Sequence, residues 1–180
     1  MKPPFRFSPI ADVLRQTYGW LMIEPATTCC CSSLADLAAV PMGGDGLDER
    51  VFATVENIRD HGGDAWWLHL SRCRVCGQHW MIAQEERIFD EYFLRRLDAD
   101  EASRISTEGR WPADFLTYER VLETGHVLGV RPCIFMDRVS PSLIWTVEEL
   151  KKATPDISAA IIAHLLGVST TQVERILAKI

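Results

Sequence analysis

The sequence predicts an α+β protein, rich in strands over its first half and helical over its second. Three observations carry this. Alternating or aromatic runs at 65–71 and 80–83 flank a turn at Cys73-Arg74-Val75-Cys76-Gly77, which reads as a hairpin. From about Asp98 the composition becomes helical, with start and stop signals. Residues 146–180 then divide into three short segments with helical apolar spacing. The expected organisation is a strand-rich part over 1–97, a helical middle and linker over 98–145, and a three-helix unit over 146–180.

In chain order, residues 9–18 predict a short helix ended by Gly19, and 20–23 a strand. Residues 25–33 are a loop and 34–40 an apolar stretch. Met42-Gly43-Gly44-Asp45-Gly46 and His61-Gly62-Gly63-Asp64 are turns, with mainly strands between and after them. Residues 88–97 predict a further strand. Helices are expected over 98–106 and 114–123, the second opened near Pro112 and stopped by Gly125. Residues 127–136 return as a strand, and Pro141 lies in a linker. The last helices are 147–153, 157–166 and 170–180.

Composition narrows the function. Of 180 residues, 47% are hydrophobic and 24% charged, which excludes collagen-like, low-complexity and wholly disordered chains. With 19 Lys+Arg against 25 Asp+Glu the net charge is −6, so a polyanion cannot be coated by charge alone and any such contact must be local. Prolines interrupt the first residues, no apolar run is long enough to span a bilayer, and a cytoplasmic protein without a membrane partner is expected.

Five of the six cysteines fall into two clusters, Cys29-Cys30-Cys31 and Cys73 with Cys76. In a reducing compartment such a set is not a disulfide framework. Cys73 and Cys76 form a C-x-x-C-G knuckle whose thiolates converge on one metal if the backbone turns between them, and Gly77 permits that turn. A tetrahedral site needs two more ligands. Cys29 and Cys31 are the preferred pair, because alternate residues of an extended loop point the same way; an adjacent pair including Cys30 is the alternative. The expected ion is a structural Zn2+, with buried free thiols, an iron–sulfur cluster or a redox pair as competing uses. His79 is a weaker substitute ligand, His69 a plain strand residue, and Cys133 a core residue.

The stretch Cys73-Arg74-Val75-Cys76-Gly77-Gln78-His79-Trp80 resembles a C-x-x-C-G-Q-x-W element of small bacterial zinc-ribbon-like proteins, including some predicted immunity proteins of polymorphic toxin systems. That resemblance implies a zinc site and, in the immunity case, a basic protein partner for the acidic body.

Near the C-terminus, Ala163 is small where two helices cross, Gly167 suits a tight turn, and Ser169 is a good N-cap. Leu166, Val168, Val173, Ile176 and Leu177 supply an apolar face, and Leu150 completes a three-helix core. The segment from Ala163 to Leu177 resembles the helix-turn-helix motif of bacterial DNA-binding proteins. The resemblance implies that Thr170, Thr171, Gln172 and Arg175 face bases or phosphates. From Thr146 onward Lys151, Lys152, Arg175 and Lys179 cancel Glu148, Glu149, Asp156 and Glu174, so the −6 resides in the body and a homodimer is expected to supply affinity.

Phosphate-loop, H-E-x-x-H, G-x-S-x-G and deaminase motifs are absent, and catalysis is not expected. Glu85, Glu86, Asp90 and Glu91, like Arg95 and Arg96, read as solvated, and the six tryptophans as core. The functional expectation is a non-catalytic DNA-binding regulator with a structural zinc site; the alternative is an acidic protein-binding module.

Overall fold

The computed structural model describes residues 28–62, 66–133 and 140–180. The expected helix at 9–18 and strand at 20–23 lie outside them. Five strands, β1 (Leu37–Pro41), β2 (Val55–Gly62), β3 (Trp67–Cys73), β4 (His79–Glu85) and β5 (Glu91–Leu97), form one antiparallel sheet in the order β1-β5-β4-β3-β2. Helices α1 (Leu47–Phe52), α2 (Ala99–Glu108), α3 (Tyr118–Val127), α4 (Pro141–Ala153), α5 (Ala159–Leu166) and α6 (Thr170–Leu177) complete the α+β fold. Among the described residues no helix is long and apolar enough to cross a membrane.

The middle of the sheet is buried on both faces. Successive strand residues point to opposite sides, so Met81 and Ala83 of β4 join Leu68, Leu70, Phe93 and Leu97 on the face covered by α2 to α6. Trp80 and Ile82 instead join Val40, Leu94, Cys31, Val51 and Cys73 on the other face. One core runs from the sheet through Ile105, Phe115 and Leu122 to Leu166, Val173 and Ile176. The outer strand β2 is exposed along most of its length. It carries Glu56, Arg59 and Asp60 and a register break between Asn57 and Arg59, features that discourage further strand pairing.

Local chemistry accounts for the elements. Asp98 caps α2 in a capping box, its Oδ1 accepting from the Glu101 amide at 2.7 Å while Glu101 Oε2 accepts from the Asp98 amide at 3.2 Å. Ser158 and Ser169 cap α5 and α6 by accepting from the amides of Ile161 and Gln172, both at 3.2 Å. Gly167 turns between these helices with φ +64°, and Ala163 is buried at their crossing.

Several expectations require correction. Residues 47–52 form a helix where strands were read, because a single helical turn and a half leaves too short a periodic signal. Gly125 does not stop a helix: α3 runs through it to Val127, and residues 128–133 form no strand. The remainder of the expected strand, 134–139, lies outside the described residues. Pro141 opens α4 rather than a linker, as proline can at a first helical position. Cys133 is exposed rather than core. Trp80 and Trp111 are buried, but Trp67 and Trp145 are exposed, and Trp20 lies outside the described residues.

Two expectations of solvated charge also fail. Glu85 is fully buried, and its carboxylate accepts from the amides of Arg87, Ile88 and Phe89 at 2.7–3.1 Å and from Tyr118 Oη at 2.6 Å. It knots the β4–β5 turn and ties α3 to the sheet. Burial and the Glu85 charge push the Tyr118 phenol well above its ordinary range. Glu91 is half-buried, and burial together with Asp90 raises its carboxyl to about 7. Arg95 and Arg96, neighbours on β5, face opposite sides of the sheet. Arg95 bonds Glu101 at 2.8 Å and Asp114 at 3.4 Å, whereas Arg96 points toward the cysteines.

The role of Gly125 is close approach. A Cβ there would stand 2.5 Å from Phe89 ring atoms. Gly125→Ala is therefore expected to destabilise the fold by about 1–3 kcal/mol, through overpacking, with part of the loss recovered when Phe89→Leu is added. Urea unfolding of the single and double variants measures both effects, and an unchanged midpoint for Gly125→Ala would contradict the packing described.

Candidate metal centre

The β3–β4 hairpin presents one half of the site. The Cys73 amide donates to the Gln78 carbonyl at 2.8 Å and the Gly77 amide to the Cys73 carbonyl at 2.9 Å, closing a turn in which Gly77 has φ +78°. The tip is anchored to the segment after α1, where Arg74 donates from its amide to the Thr54 carbonyl at 2.8 Å and from Nη2 to the Ala53 carbonyl at 2.7 Å. Cys73 is buried at the sheet and Cys76 is exposed at the turn.

The other half comes from residues 29–34. A short 3₁₀ turn, Cys31–Ser33, is held by the Ser33 amide and hydroxyl, which donate to the Cys30 carbonyl at 3.0 and 2.8 Å. This turn buries Cys31 and leaves Cys29 half-buried. The sulfurs of Cys29, Cys31, Cys73 and Cys76 all lie within 4.8 Å of one another, and this group can hold a metal ion. Cys30 and His79 are not in it. His79 begins β4, where burial and then the Arg72 charge lower its pKa.

The four thiols are electrostatically unequal. For Cys73, burial opposes ionisation, but the amide of Cys76, the hydroxyl of Thr54, 3.6 Å away, and the amide of Val75 reverse it and hold the thiol at about 6. For Cys31, burial dominates and pushes the thiol up to about 12 even though Trp80 Nε1 donates to its sulfur at 3.4 Å. For Cys29 the Cys31 amide pulls the thiol down, and Cys76, burial and Cys73 together raise it. A cation among the four sulfurs relieves this mutual repulsion, which is the chemistry a thiolate metal site requires. Four thiol donors saturate a tetrahedral ion and leave no position for an activated water.

Arg96 links the two halves. Its Nη2 donates to the carbonyls of Cys31 and Leu34, each at 2.9 Å, its Nε to Asp36 at 2.8 Å and its Nη1 to Gln78 Oε1 at 2.8 Å. The guanidinium lies 4.4 Å from the centre of the Trp80 ring. Gln78 Nε2 in turn donates to the carbonyls of His79 and Leu97 at 2.8 and 3.1 Å.

No family model, curated protein or solved structure matches the chain. Functional inference therefore rests on its own side chains, since a fold does not by itself imply a function. Thr170, Thr171 and Arg175 are exposed on α6 and Gln172 is half-buried there. Sequence reasoning missed Arg96 and Thr54. Strand alternation was the available signal for Arg96, because adjacent Arg95 and Arg96 cannot both face solvent when both sides of β5 are covered. Thr54, between helix and strand, carried none.

Because most of these thiols must lose protons to bind a cation, metal uptake at pH 7 is expected to release protons, and affinity to fall as pH is lowered. Calorimetry in buffers of different ionisation enthalpy measures the release. Cys73→Ser or Cys76→Ser is expected to abolish stoichiometric metal and lower the thermal midpoint by roughly 2–4 °C per kcal/mol lost at this chain length. Full metal retention in both variants would refute this ligand set.

Proposed function

We propose that the protein is a DNA-binding regulator that reads its site through α6, with a structural zinc ion stapling its sheet. The observation that carries the DNA reading is how the three-helix unit is docked. Leu143, Val147 and Leu150 of α4, Ile162, Leu165 and Leu166 of α5, and Val173 and Ile176 of α6 are buried in the common core. α5 is also held to α3, where His126 Nε2 meets the Leu165 carbonyl at 2.7 Å and the His126 ring stacks on His164. The outer side of α6 is left to solvent, with Thr170, Thr171 and Arg175 exposed. Among the described residues these three side chains have no hydrogen bond or ion pair.

That arrangement suits a helix-turn-helix in which the first helix is braced and the second enters the major groove. Hydroxyls at the N-terminus of α6 can meet phosphates or base edges, and Arg175 one turn later can pair with guanine. Since the unit carries no net charge and the body is acidic, two copies on a two-fold site are the way to useful affinity.

Zinc fits the sulfur geometry better than a cluster. A single ion with Zn–S bonds of about 2.3 Å places tetrahedral sulfurs about 3.8 Å apart. A spacing below 4.8 Å needs only slight contraction to reach that. In a [4Fe–4S] cluster each cysteine binds its own iron, and in a [2Fe–2S] cluster two pairs bind different irons, so at least some of the four sulfurs stand farther apart.

The test is retention of genomic fragments by the purified full chain across a salt series. Specific, salt-sensitive retention is expected, with Arg175→Ala weakening it by about 1–3 kcal/mol while leaving helix content unchanged. No retained fragment at low salt, or equal retention by Arg175→Ala, would overturn the proposal.

A further inference from the structure

The four cysteines come from two segments held by different means. Cys73 and Cys76 belong to a hairpin whose strands are paired on both sides, so the knuckle is fixed by the sheet itself. Cys29 and Cys31 precede β1 and lie on no strand. Among the described residues, and apart from contacts between the thiols themselves, the hydrogen bonds that tie residues 29–36 to the sheet come from Arg96 and Trp80. Arg96 supplies its amide to the Asp36 carbonyl at 2.7 Å and its guanidinium to Asp36, Cys31 and Leu34; Trp80 supplies its indole N–H to Cys31 Sγ.

We propose that Arg96 is the positioning residue of the metal centre: its guanidinium, seated on Trp80 and steered by Gln78, fixes the Cys29–Cys31 segment against the Cys73–Cys76 knuckle so that all four sulfurs meet one ion. The inference rests on the metal reading above and is independent of DNA binding. Three features of the contact set support it. The two carbonyls that share Nη2 belong to Cys31 and Leu34, at the start of the 3₁₀ turn and just after it, so one nitrogen sets the orientation of the turn that carries Cys31. Gln78 orients the opposite edge of the guanidinium and is itself pinned by two backbone carbonyls. The planar group covers the Trp80 ring, whose N–H points at Cys31 Sγ, so displacing Arg96 disturbs the only ring that bonds a candidate ligand among the described residues.

Charge adds to geometry. Four thiolates around a divalent ion leave a net charge of −2, and a guanidinium bonded to the carbonyl of one ligand residue offsets part of it. The two contributions are separable because lysine keeps the charge but cannot reproduce a planar fork that serves several acceptors at once.

Cobalt(II) titration of the full-length chain, wild type, Arg96→Lys and Arg96→Met, provides the test, followed by zinc competition. The wild type is expected to bind one Co2+ with a tetrahedral, four-thiolate spectrum. Arg96→Met is expected to bind roughly 10–100-fold more weakly and Arg96→Lys, which keeps the charge, more weakly than wild type but less so than Arg96→Met; in both, the sulfur-to-cobalt charge-transfer intensity per metal is expected to be about halved, because only the knuckle thiolates stay in register. A general loss of stability would leave the spectrum of the bound fraction unchanged, so the halved band identifies positioning. If folded Arg96 variants give the wild-type spectrum, at wild-type or reduced affinity, the inference is wrong. If the wild type binds no metal, the metal reading itself fails, and the wild-type arm alone reveals that. Should Arg96→Met not fold, Arg96→Lys decides by the same two readouts.

Discussion

β4 is buried on both sides, and this constraint organises the molecule. A strand reading Trp80-Met81-Ile82-Ala83 cannot leave either face in water, so the chain must cover the sheet twice. The helices do so generously: among the described residues twenty-five buried side chains form the core on that side, against seven on the other. At about 1.5–3 kcal/mol for each large apolar side chain removed from water, the smaller side is the weaker half. Among the described residues its cover is the short cysteine-bearing segment and the six-residue α1. A structural zinc site in small peptides is worth an apparent 10–16 kcal/mol at neutral pH, comparable with the whole apolar contribution of that face. A metal there would sit where, among the described residues, the packing is thinner.

The sheet also separates the two proposed activities. The cysteines lie on one side and α4 to α6 on the other, joined to the sheet through α2 and α3. Arg95, bonded to Glu101, links the sheet to α2, and Glu85, whose carboxylate meets the β4–β5 turn and Tyr118, links it to α3. Burying a carboxylate is costly unless it is fully bonded, and this one accepts from three amides and a phenol. A metal at the cysteines would therefore lie across the sheet from α6, which fits a structural rather than a catalytic use of the ion.

Much of this was legible in the sequence, and the reasons differ by element. The hairpin around Cys73 and Cys76 and the helix capped by Ser169 are set by neighbours in the chain, so spacing and the cap residue suffice, whereas the cap of the preceding helix at Ser158 was missed. Coordination chemistry demands four donors and so pointed from the knuckle to the upstream cysteines; the choice of Cys29 and Cys31 rested on alternation in an extended loop, whereas a 3₁₀ turn brings them to the site. What else escaped notice depends on contacts distant in sequence. Arg96 looks like a surface charge until Cys31 and Leu34 are brought beside it, and Glu85 looks solvated until the β4–β5 turn wraps around it. Gly125 has the signature of a helix stop, yet it is small because Phe89 crosses there.

The strand order has a consequence for how the chain closes. Strands β2 to β5 follow one another as neighbouring hairpins, each closing a short loop. β1 is the exception, since Pro41 must return to Glu91 across everything between them. Loop closure costs entropy that rises with the length of chain enclosed, and long-range pairings are slow for the same reason. The meander can assemble without β1, whereas β1 has nothing to pair with until β5 exists. The segment that brings Cys29 and Cys31 leads into β1, so its seat depends on the most sequence-distant pairing of the sheet, and a metal bound across that seam would join this pairing to a local hairpin.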